Sequence, residues 1–173
     1  AKRNQLDIDT RSDVYSLGIE LYSLLTGETP FSGPRLKEAA WDEILRVIRE
    51  EEPKLPSLKL TDSQKLEEVA LNRRMEPARL TAIVRGDLDW IVMKALQKER
   101  SRRYESASEL ASDLHRHLKQ QPVSARPPSW SYRAQKFVAR NRTAVFVAVV
   151  LCLLAAVSIG FAQASYRSSQ RDK

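Results

Sequence analysis

The segment DTRSDVYSLGIELYSLLTGETPF, residues 9–31, decides the fold because it has the marks of one long helix with a defined end. Thr10 or Ser12 is expected to cap this helix, with Asp13 three residues after Thr10 in the spacing of a capping box. Gly27 is expected to close it as a left-handed cap. Apolar or small residues recur between these ends at helical spacing, as Val14, Leu17, Gly18, Leu21, Leu24 and Leu25.

The residues that follow are also predicted to be helical. A second helix is expected over 36–50, and Pro56 is expected to keep the stretch after it extended. Residues 61–85 are charged and helix-prone, and Pro77 suits the start of a helix. A compact helix with one apolar face is predicted over 87–97.

The last helix of this part has the clearest start signal. Ser106 and Glu109 have the spacing of a capping box, and the helix that they open is expected to run through Leu118. Residues 122–128 look like a linker. No alternating strand pattern of useful length occurs in the sequence. We therefore expect an all-α soluble part of about 120 residues, which is large enough to form a core.

A second kind of segment follows. Residues 143–166 are a run of 24 residues without Asp, Glu, Lys or Arg. At a rise of about 1.5 Å per residue, about 20 helical residues span the roughly 30 Å of a bilayer's hydrocarbon core. We therefore predict a transmembrane helix over 143–164 and a short tail over 165–173. The alternative is a buried core helix.

The net charge of the chain is concentrated around this span. Residues 1–122 hold 21 basic and 21 acidic residues, so residues 123–173 carry the whole net charge of +7. Because these cations flank an apolar span, they predict contact with membrane lipid rather than with nucleic acid. A basic juxtamembrane linker is expected over 120–142. More cations precede the span than follow it, which predicts a single-pass membrane protein with a cytoplasmic N-terminal part.

Two features near the span concern the membrane interface. Trp130, Tyr132 and Phe137 precede it and Tyr166 lies at its end, where aromatic rings suit the interface. Residues 132–142 are either a basic amphipathic helix on an anionic leaflet or a solvated linker helix, and the sequence leaves both open.

Within the span, Ala156, Gly160 and Ala164 form a small-xxx-small series that allows two helices to approach closely, so a homodimer through the span is a further hypothesis. Cys152 is the only cysteine, which excludes a disulfide within the chain. His115 and His117 are two positions apart on a predicted helix and point to different faces, so no metal site is expected there.

Two motifs in the right order resemble protein kinases. Residues 9–31 resemble the D-x-x-S-x-G helix at the centre of the large lobe, with its T-G-x-x-P-F exit. Residues 98–104, KERSRRY, resemble the K-D-P-x-x-R-[YF] turn near the end of the kinase domain, and residues 87–96 look like the helix before it. The resemblance covers about 1–119, with 55–86 looking like an insertion. It implies a partial protein-kinase large lobe plus one transmembrane helix, the plan of bacterial receptor-like serine/threonine kinases.

The resemblance implies structural roles for Asp13, Ser16, Gly18 and Arg103. In the family, the residue matching Asp13 lies at the buried start of the central helix, where its carboxylate accepts N–H groups of the catalytic loop. The residue matching Arg103 pairs with the glutamate of the A-P-E motif and holds the activation segment. The alternatives are an ordinary helix residue for Asp13 and a surface charge for Arg103.

The chain contains none of the segments that phosphoryl transfer needs: the Gly-rich loop, the strand lysine, the H-R-D loop and the D-F-G metal ligand. No catalytic, cofactor-binding or metal-binding residue is therefore assigned, and ATP and Mg²⁺ belong to the complete kinase with its protein substrates. Since the chain opens with Ala1 just after the A-P-E position, a truncated reading frame or a deliberate fragment is the expected explanation.

The expected function is that of the C-terminal portion of a membrane-anchored serine/threonine protein kinase, inactive by itself. Val14, Leu17 and Leu21 would normally lie under the missing elements, so this face is expected to expose apolar surface. The alternative function is a non-catalytic, membrane-tethered helical interaction module.

Overall fold

The computed structural model describes residues 2–32 and 39–171, with side chains over 10–32 and 39–160. No strand occurs in these residues, which confirms the all-α prediction. The chain forms two compact units, Ala1–Pro127 and Pro128–Lys173. One turn of 3₁₀ helix, Arg100–Arg102, precedes the last helix of the first unit. The α-helices described are α1 (Lys2–Thr26), α2 (Trp41–Glu50), α3 (Pro56–Asp62), α4 (Leu66–Asn72), α5 (Pro77–Val84), α6 (Asp87–Ala95), α7 (Ala107–Leu118), α8 (Trp130–Arg140) and α9 (Arg142–Arg171).

The first helix begins earlier than its sequence indicates. Because α1 starts at Lys2, Thr10 and Ser12 lie inside it, and the predicted cap is wrong. The preceding residues, KRNQL, include good helix formers, so the helix extends through them. The predicted end is confirmed: Gly27 has a φ of +75° and its N–H donates to the Ser23 carbonyl at 2.8 Å.

The C-terminal end of α1 is held by an arginine from α4's far end. The Arg73 guanidinium donates to the Leu25 carbonyl at 3.0 Å through Nη1 and to the Leu24 carbonyl through Nη2. These last-turn carbonyls have no partner inside the helix, so Arg73 satisfies them. A Cβ on Gly27 would lie only 2.8 Å from Val69 Cγ2, which shows how closely α4 packs there.

The predicted second helix is shorter than expected. Its end at Glu50 is confirmed, whereas Ala40 has an extended backbone and α2 begins at Trp41. Asp42 and Glu43 fall in the first turn, where carboxylates are favoured by the helix dipole. Leu36, the predicted start, lies outside the described residues.

The segment 55–86, which looks like an insertion, is built into the hydrophobic core. Pro56 is the first residue of α3, so the prediction of an extended stretch is wrong. A proline fits there because the first N–H of a helix has no partner within it. Pro77 starts α5 as predicted. Each of the three short helices contributes buried apolar side chains: Leu60, Val69, Ala70, Leu80 and Val84.

Helices α1 and α6 pack against each other at Gly18, at the centre of the first unit. A Cβ added to Gly18 would lie 2.9 Å from Ala95 Cβ and 3.1 Å from Leu96 Cδ2. Val14, one helical turn earlier on the same face, is fully buried, so its expected exposure is wrong. Leu17 is 44% exposed, as expected, whereas Leu21 is partly buried against the core, so its expected exposure is wrong as well.

The start of α7 follows the sequence prediction with one change. Ser106 Oγ accepts the N–H of Glu109 at 3.3 Å, which confirms the cap. The Glu109 carboxylate accepts the N–H of Glu105 at 3.0 Å, one residue before the cap. Both ends of the motif are therefore used to satisfy N–H groups at the helix start.

Asp113 on α7 anchors the segment that follows the helix. Its fully buried carboxylate accepts bonds from Ser124 N, Ser124 Oγ and Ala125 N, each at 2.8 Å. Tyr104 Oη donates at 2.9 Å and Arg116 Nη1 at 2.8 Å. The first compact unit accordingly continues to Pro127, beyond the linker start placed at residue 120.

These contacts set the protonation of Asp113. Burial alone raises the pKa of its carboxyl group, but the hydrogen bonds from Ser124, Ala125 and Arg116 outweigh burial and hold the pKa below its ordinary value. The group is therefore a charged anchor with its oxygens fully used, not a free acid.

The second unit consists of α8 and α9. Ser129 caps α8 by accepting the N–H of Tyr132 at 3.1 Å. In α9, the stretch Arg142–Gly160 is long and apolar enough to cross a membrane, with a mean hydropathy of 2.6 and no buried residue. The predicted span 143–164 lies within this continuous helix, which runs on to Arg171; that it crosses a membrane stays a prediction.

We predict that Asp113→Ala lowers the free energy of unfolding by about 3 kcal/mol, because it removes one partner from a buried charged network. Urea unfolding of the full chain in detergent micelles, followed by circular dichroism, measures this. Glu67→Ala, which removes an exposed acid of α4, is the control and is expected to cost less than about 0.5 kcal/mol. Equal effects of the two variants would contradict the anchoring role.

The same network has a pH dependence. Because the pKa of Asp113 is lower in the folded than in the unfolded chain, the unfolded chain binds more protons and stability rises with pH in this window. The contribution is complete above the unfolded pKa of about 3.9 and is lost as pH falls through the lower folded pKa. Asp113→Asn is expected to flatten this acid limb; an unchanged slope would contradict it.

We also predict that Gly18→Ala is destabilising. The clash with Ala95 and Leu96 costs about 1–3 kcal/mol, more than the roughly 1 kcal/mol that alanine gains in helix propensity. The exposed Ser16→Ala on the same helix is the control and is expected to change stability by less than about 0.5 kcal/mol. The measurement is the melting temperature of both variants. A Gly18→Ala variant that is more stable than the original chain would show that α1 and α6 are not in close contact.

Candidate functional site

The four kinase-motif residues occupy two places in the first unit. Asp13, Ser16 and Gly18 lie on α1, and Arg103 lies between the 3₁₀ turn and α7. Gly18 is buried against α6, while Asp13 and Ser16 are exposed. Ser16 Oγ donates to the Ser12 carbonyl at 3.2 Å, a local bond within the helix.

Arg103 connects the end of α6 with α1 through three backbone carbonyls. Its Nε donates to the Gln97 carbonyl at 2.6 Å and its Nη2 to the Lys98 carbonyl at 3.3 Å. Its Nη1 donates across the fold to the Arg11 carbonyl at 3.2 Å. A guanidinium has five N–H donors in a fixed plane, which suits it to this fork between two segments.

An aromatic ring covers the same guanidinium. Arg103 Cζ lies 4.6 Å from the centroid of the Tyr15 ring, within the range of a cation–π contact. Burial raises the pKa of the Tyr15 phenol, and the Arg103 charge partly offsets this. Burial also disfavours the charged form of the Arg103 side chain and therefore lowers its pKa. Arg11 Nη1 adds a second connection by donating to the Arg100 carbonyl at 3.4 Å.

Asp13 has a different setting from the one its motif implies. Since α1 begins at Lys2, Asp13 lies several turns into the helix, and the dipole of the first turn does not stabilise its carboxylate. Its side chain is exposed on α1. Its contact with a catalytic loop, and the pairing of Arg103 with an A-P-E glutamate, stay predictions that follow from the resemblance.

Sequence reasoning missed the buried acids at the start of α6. Asp89 accepts Ser57 N at 2.9 Å, Ser57 Oγ at 2.7 Å and Gly86 N at 3.3 Å, which fixes α3 against α6. Asp87 lies 3.3 Å from His117 Nδ1 and 4.0 Å from Arg126 Nη1. The sequence did carry a signal for them: two carboxylates stand in the first turn of an otherwise apolar helix, and such groups need partners when they are buried.

Asp113 also had a sequence signal, and Arg73 did not. Asp113 lies three residues after Leu110, on the buried face of α7, where an unpaired charge is costly. Arg73 contacts α1 from 48 residues away in the chain, a contact that only the packing of α4 creates.

A groove of about 610 Å³ lies beside the loop that follows α1. In this groove Lys59 Nζ is 2.8 Å from a Glu28 carboxylate oxygen, and Ser32 Oγ donates to the same oxygen at 3.0 Å. The hydrogen bond from Lys59 holds the pKa of Glu28 below its ordinary value. These groups neutralise each other, so they stabilise the loop rather than mark a catalytic centre.

Over residues 10–32 and 39–160, no group of three His, Cys, Asp or Glu side chains could hold a metal ion. His115 is exposed on α7 while His117 faces Asp87, so the two histidines do point to different surroundings.

Comparison with known proteins identifies relatives. Serine/threonine-protein kinase PknB of Mycobacterium leprae is 36% identical over 118 residues, which is 68% of this chain and 15% of the relative. PknB of Mycolicibacterium smegmatis is 36% identical over 109 residues, 63% of this chain and 13% of the relative. A probable serine/threonine-protein kinase of Streptomyces coelicolor is 34% identical over 118 residues, 68% of this chain and 14% of the relative.

No protein-family model matches the sequence. The chain spans about one seventh of the length of the curated relatives that it matches, so it corresponds to one section of those kinases. The resemblance to bacterial serine/threonine kinases is confirmed by these relatives. Over about 65% of its length, this chain is a homologue of PknB-type serine/threonine kinases.

Proposed function

We propose that this chain is the C-terminal portion of the large lobe of a membrane-anchored serine/threonine protein kinase. The observation that carries the proposal is the match to kinases over 118 residues. The complete kinase would transfer the γ-phosphate of ATP to a serine or threonine of a protein substrate. Mg²⁺ would neutralise the phosphate charge there, and this chain supplies none of its ligands.

The role proposed for this chain is to support the catalytic elements. Arg73 holds the C-terminal end of α1, Gly18 lets α1 pack on α6, and Arg103 joins the helix to the turn after α6. A helix held at three points is a rigid base for a loop that must position reacting groups to within a fraction of an ångström. Asp13 is exposed on this helix, so its carboxylate is accessible to the N–H groups of such a loop.

Membrane anchoring is proposed from α9. None of its side chains over Arg142–Gly160 is buried, and most of the apolar ones are exposed, as Phe146 (70%) and Leu151 (60%) illustrate. Such a surface is costly in water and suits a lipid environment, and a helix satisfies its own backbone groups there. Because five cations lie in the 20 residues before Thr143 and three follow the span, the first unit is proposed to be cytoplasmic.

We predict that the chain by itself transfers no phosphate, because it lacks every segment that binds ATP or metal. The measurement is incorporation of labelled phosphate into a generic acceptor protein after incubation with labelled ATP and Mg²⁺, with the full chain in detergent. An active serine/threonine kinase in the same detergent is the control. Incorporation above background would contradict the prediction and favour a different mechanism.

The DNA upstream of the codon for Ala1 separates the proposal from its alternative. In-frame codons for A-P-E, D-F-G and H-R-D support the kinase, and a start codon with a ribosome-binding site supports a non-catalytic interaction module.

In the complete kinase encoded by such an extended reading frame, we predict that Arg103→Gln lowers kcat at least tenfold, because it releases α1 from the turn after α6. Arg102→Gln is the matched control, since its side chain is 71% exposed and pairs with Glu99 on the surface. Phosphorylation rates and melting temperatures of both variants are compared. If Arg103→Gln and Arg102→Gln have equal rates, Arg103 has no part in supporting catalysis.

A further inference from the structure

Helix α8 presents an exposed apolar stripe. At 3.6 residues per turn, positions 130, 134, 137 and 138 share one side of a helix. Trp130 is 90% exposed, Phe137 55% and Val138 45%, and Ala134 between them is exposed as well. These four side chains therefore form one contiguous exposed apolar patch, whereas single apolar residues scattered over a surface would not.

A basic stripe runs beside the apolar one. Arg133, Lys136 and Arg140 follow at intervals of three and four residues, so they line one edge of the apolar stripe. Arg133 and Arg140 are exposed, and Lys136 Nζ lies 5.8 Å from the Tyr132 ring centroid. No acidic residue occurs between Val123 and Arg171 in the sequence, so the charged residues of this stretch are all basic.

The two stripes lie directly before the apolar helix. Asn141 ends α8, with its N–H and its side-chain amide both donating to the Phe137 carbonyl, at 2.9 and 3.0 Å. Arg142 then begins α9. If α9 crosses a bilayer, α8 ends within one residue of the helix that enters the headgroup region, and a solvated position would keep its apolar stripe in water beside the lipid.

We propose that α8 is an interfacial helix that binds the anionic surface of the bilayer. Trp130, Phe137 and Val138 insert at the boundary between headgroups and acyl chains, and the basic stripe binds lipid phosphates. Of the two alternatives that the sequence leaves open for this segment, the exposed stripes favour the lipid-bound helix. This inference rests on the proposed insertion of α9 in the membrane.

Tyr132 is not part of this surface. The sequence groups it with Trp130 and Phe137 as an interfacial aromatic residue, but its side chain is only 3% exposed. It lies on a different side of α8 from the apolar stripe, about 200° from Trp130 at 100° per residue. Tyr166 is among the residues whose side chains are not described.

The test uses the full chain in lipid nanodiscs, with spin labels at neighbouring positions of α8. In a Cys152→Ala background, Ala134→Cys places the label on the apolar stripe and Gln135→Cys places it about 100° away. In discs of phosphatidylcholine with about one third phosphatidylglycerol, we expect position 134 to be more accessible to oxygen and position 135 to a water-soluble nickel reagent. Equal nickel accessibility at both positions would overturn the proposal.

The lipid charge is tested by a triple variant of the basic stripe, Arg133→Gln, Lys136→Gln and Arg140→Gln, with the label at position 134. It is expected to shift that label towards water and to remove the difference between anionic and neutral discs. The control removes three exposed cations from the first unit, by Arg79→Gln, Arg85→Gln and Lys119→Gln. It is expected to leave the accessibility of the label at position 134 unchanged. If the label at position 134 of the chain with its basic stripe intact inserts equally in neutral and anionic discs, the proposed recognition of anionic lipid is overturned.

A label on the native Cys152 separates this inference from the proposed anchoring. Cys152 lies in the apolar stretch of α9, so its label reports insertion of that helix independently of α8. An inserted Cys152 with a water-exposed position 134 overturns only the interfacial helix. A water-exposed Cys152 overturns the membrane anchoring itself.

Discussion

The close contact between α1 and α6 at Gly18 is the constraint on which the first unit depends. A hydrogen atom in place of a side chain lets the two helices approach until a Cβ would meet Ala95 at 2.9 Å. Helices packed so closely bury the full width of the surface between them, and Val14 and Ile91 are accordingly inaccessible to solvent. Helices α3, α4, α5 and α7 add apolar side chains to the core that this pair shares.

Polar anchors fix the ends of these helices where apolar packing alone would leave them free to shift. Arg73 closes the end of α1, Asp89 holds the start of α3 against α6, and Asp113 holds the chain after α7. Each anchor joins a side chain to backbone groups of another segment, at separations of 11 to 48 residues. Buried bonds of this kind are directional, so they select one arrangement of helices that hydrophobic burial would tolerate in several forms.

The homology to kinases and the packing of the first unit support one interpretation of the motif residues. Gly18 and Arg103 have structural roles that are visible in this chain, as a packing site and as a link between α6 and α1. Asp13 is exposed, and its function in the proposed kinase depends on a partner outside this chain. The second unit has a chemistry of its own, an apolar helix preceded by a basic one, and the proposed contact with lipid is based on it.

The sequence by itself determined the helical class, the closing glycine at position 27, the cap at Ser106 and the apolar run of α9, because each depends on residues close together in the chain. Only the tertiary structure decided that segment 55–86 belongs to the core and that Arg73 anchors the end of α1. Those facts depend on which surfaces meet, and contacts between residues far apart leave no local pattern. The early start of α1 shows the same limit: Thr10 has the chemistry of a cap, but the helix-forming residues before it continue the helix.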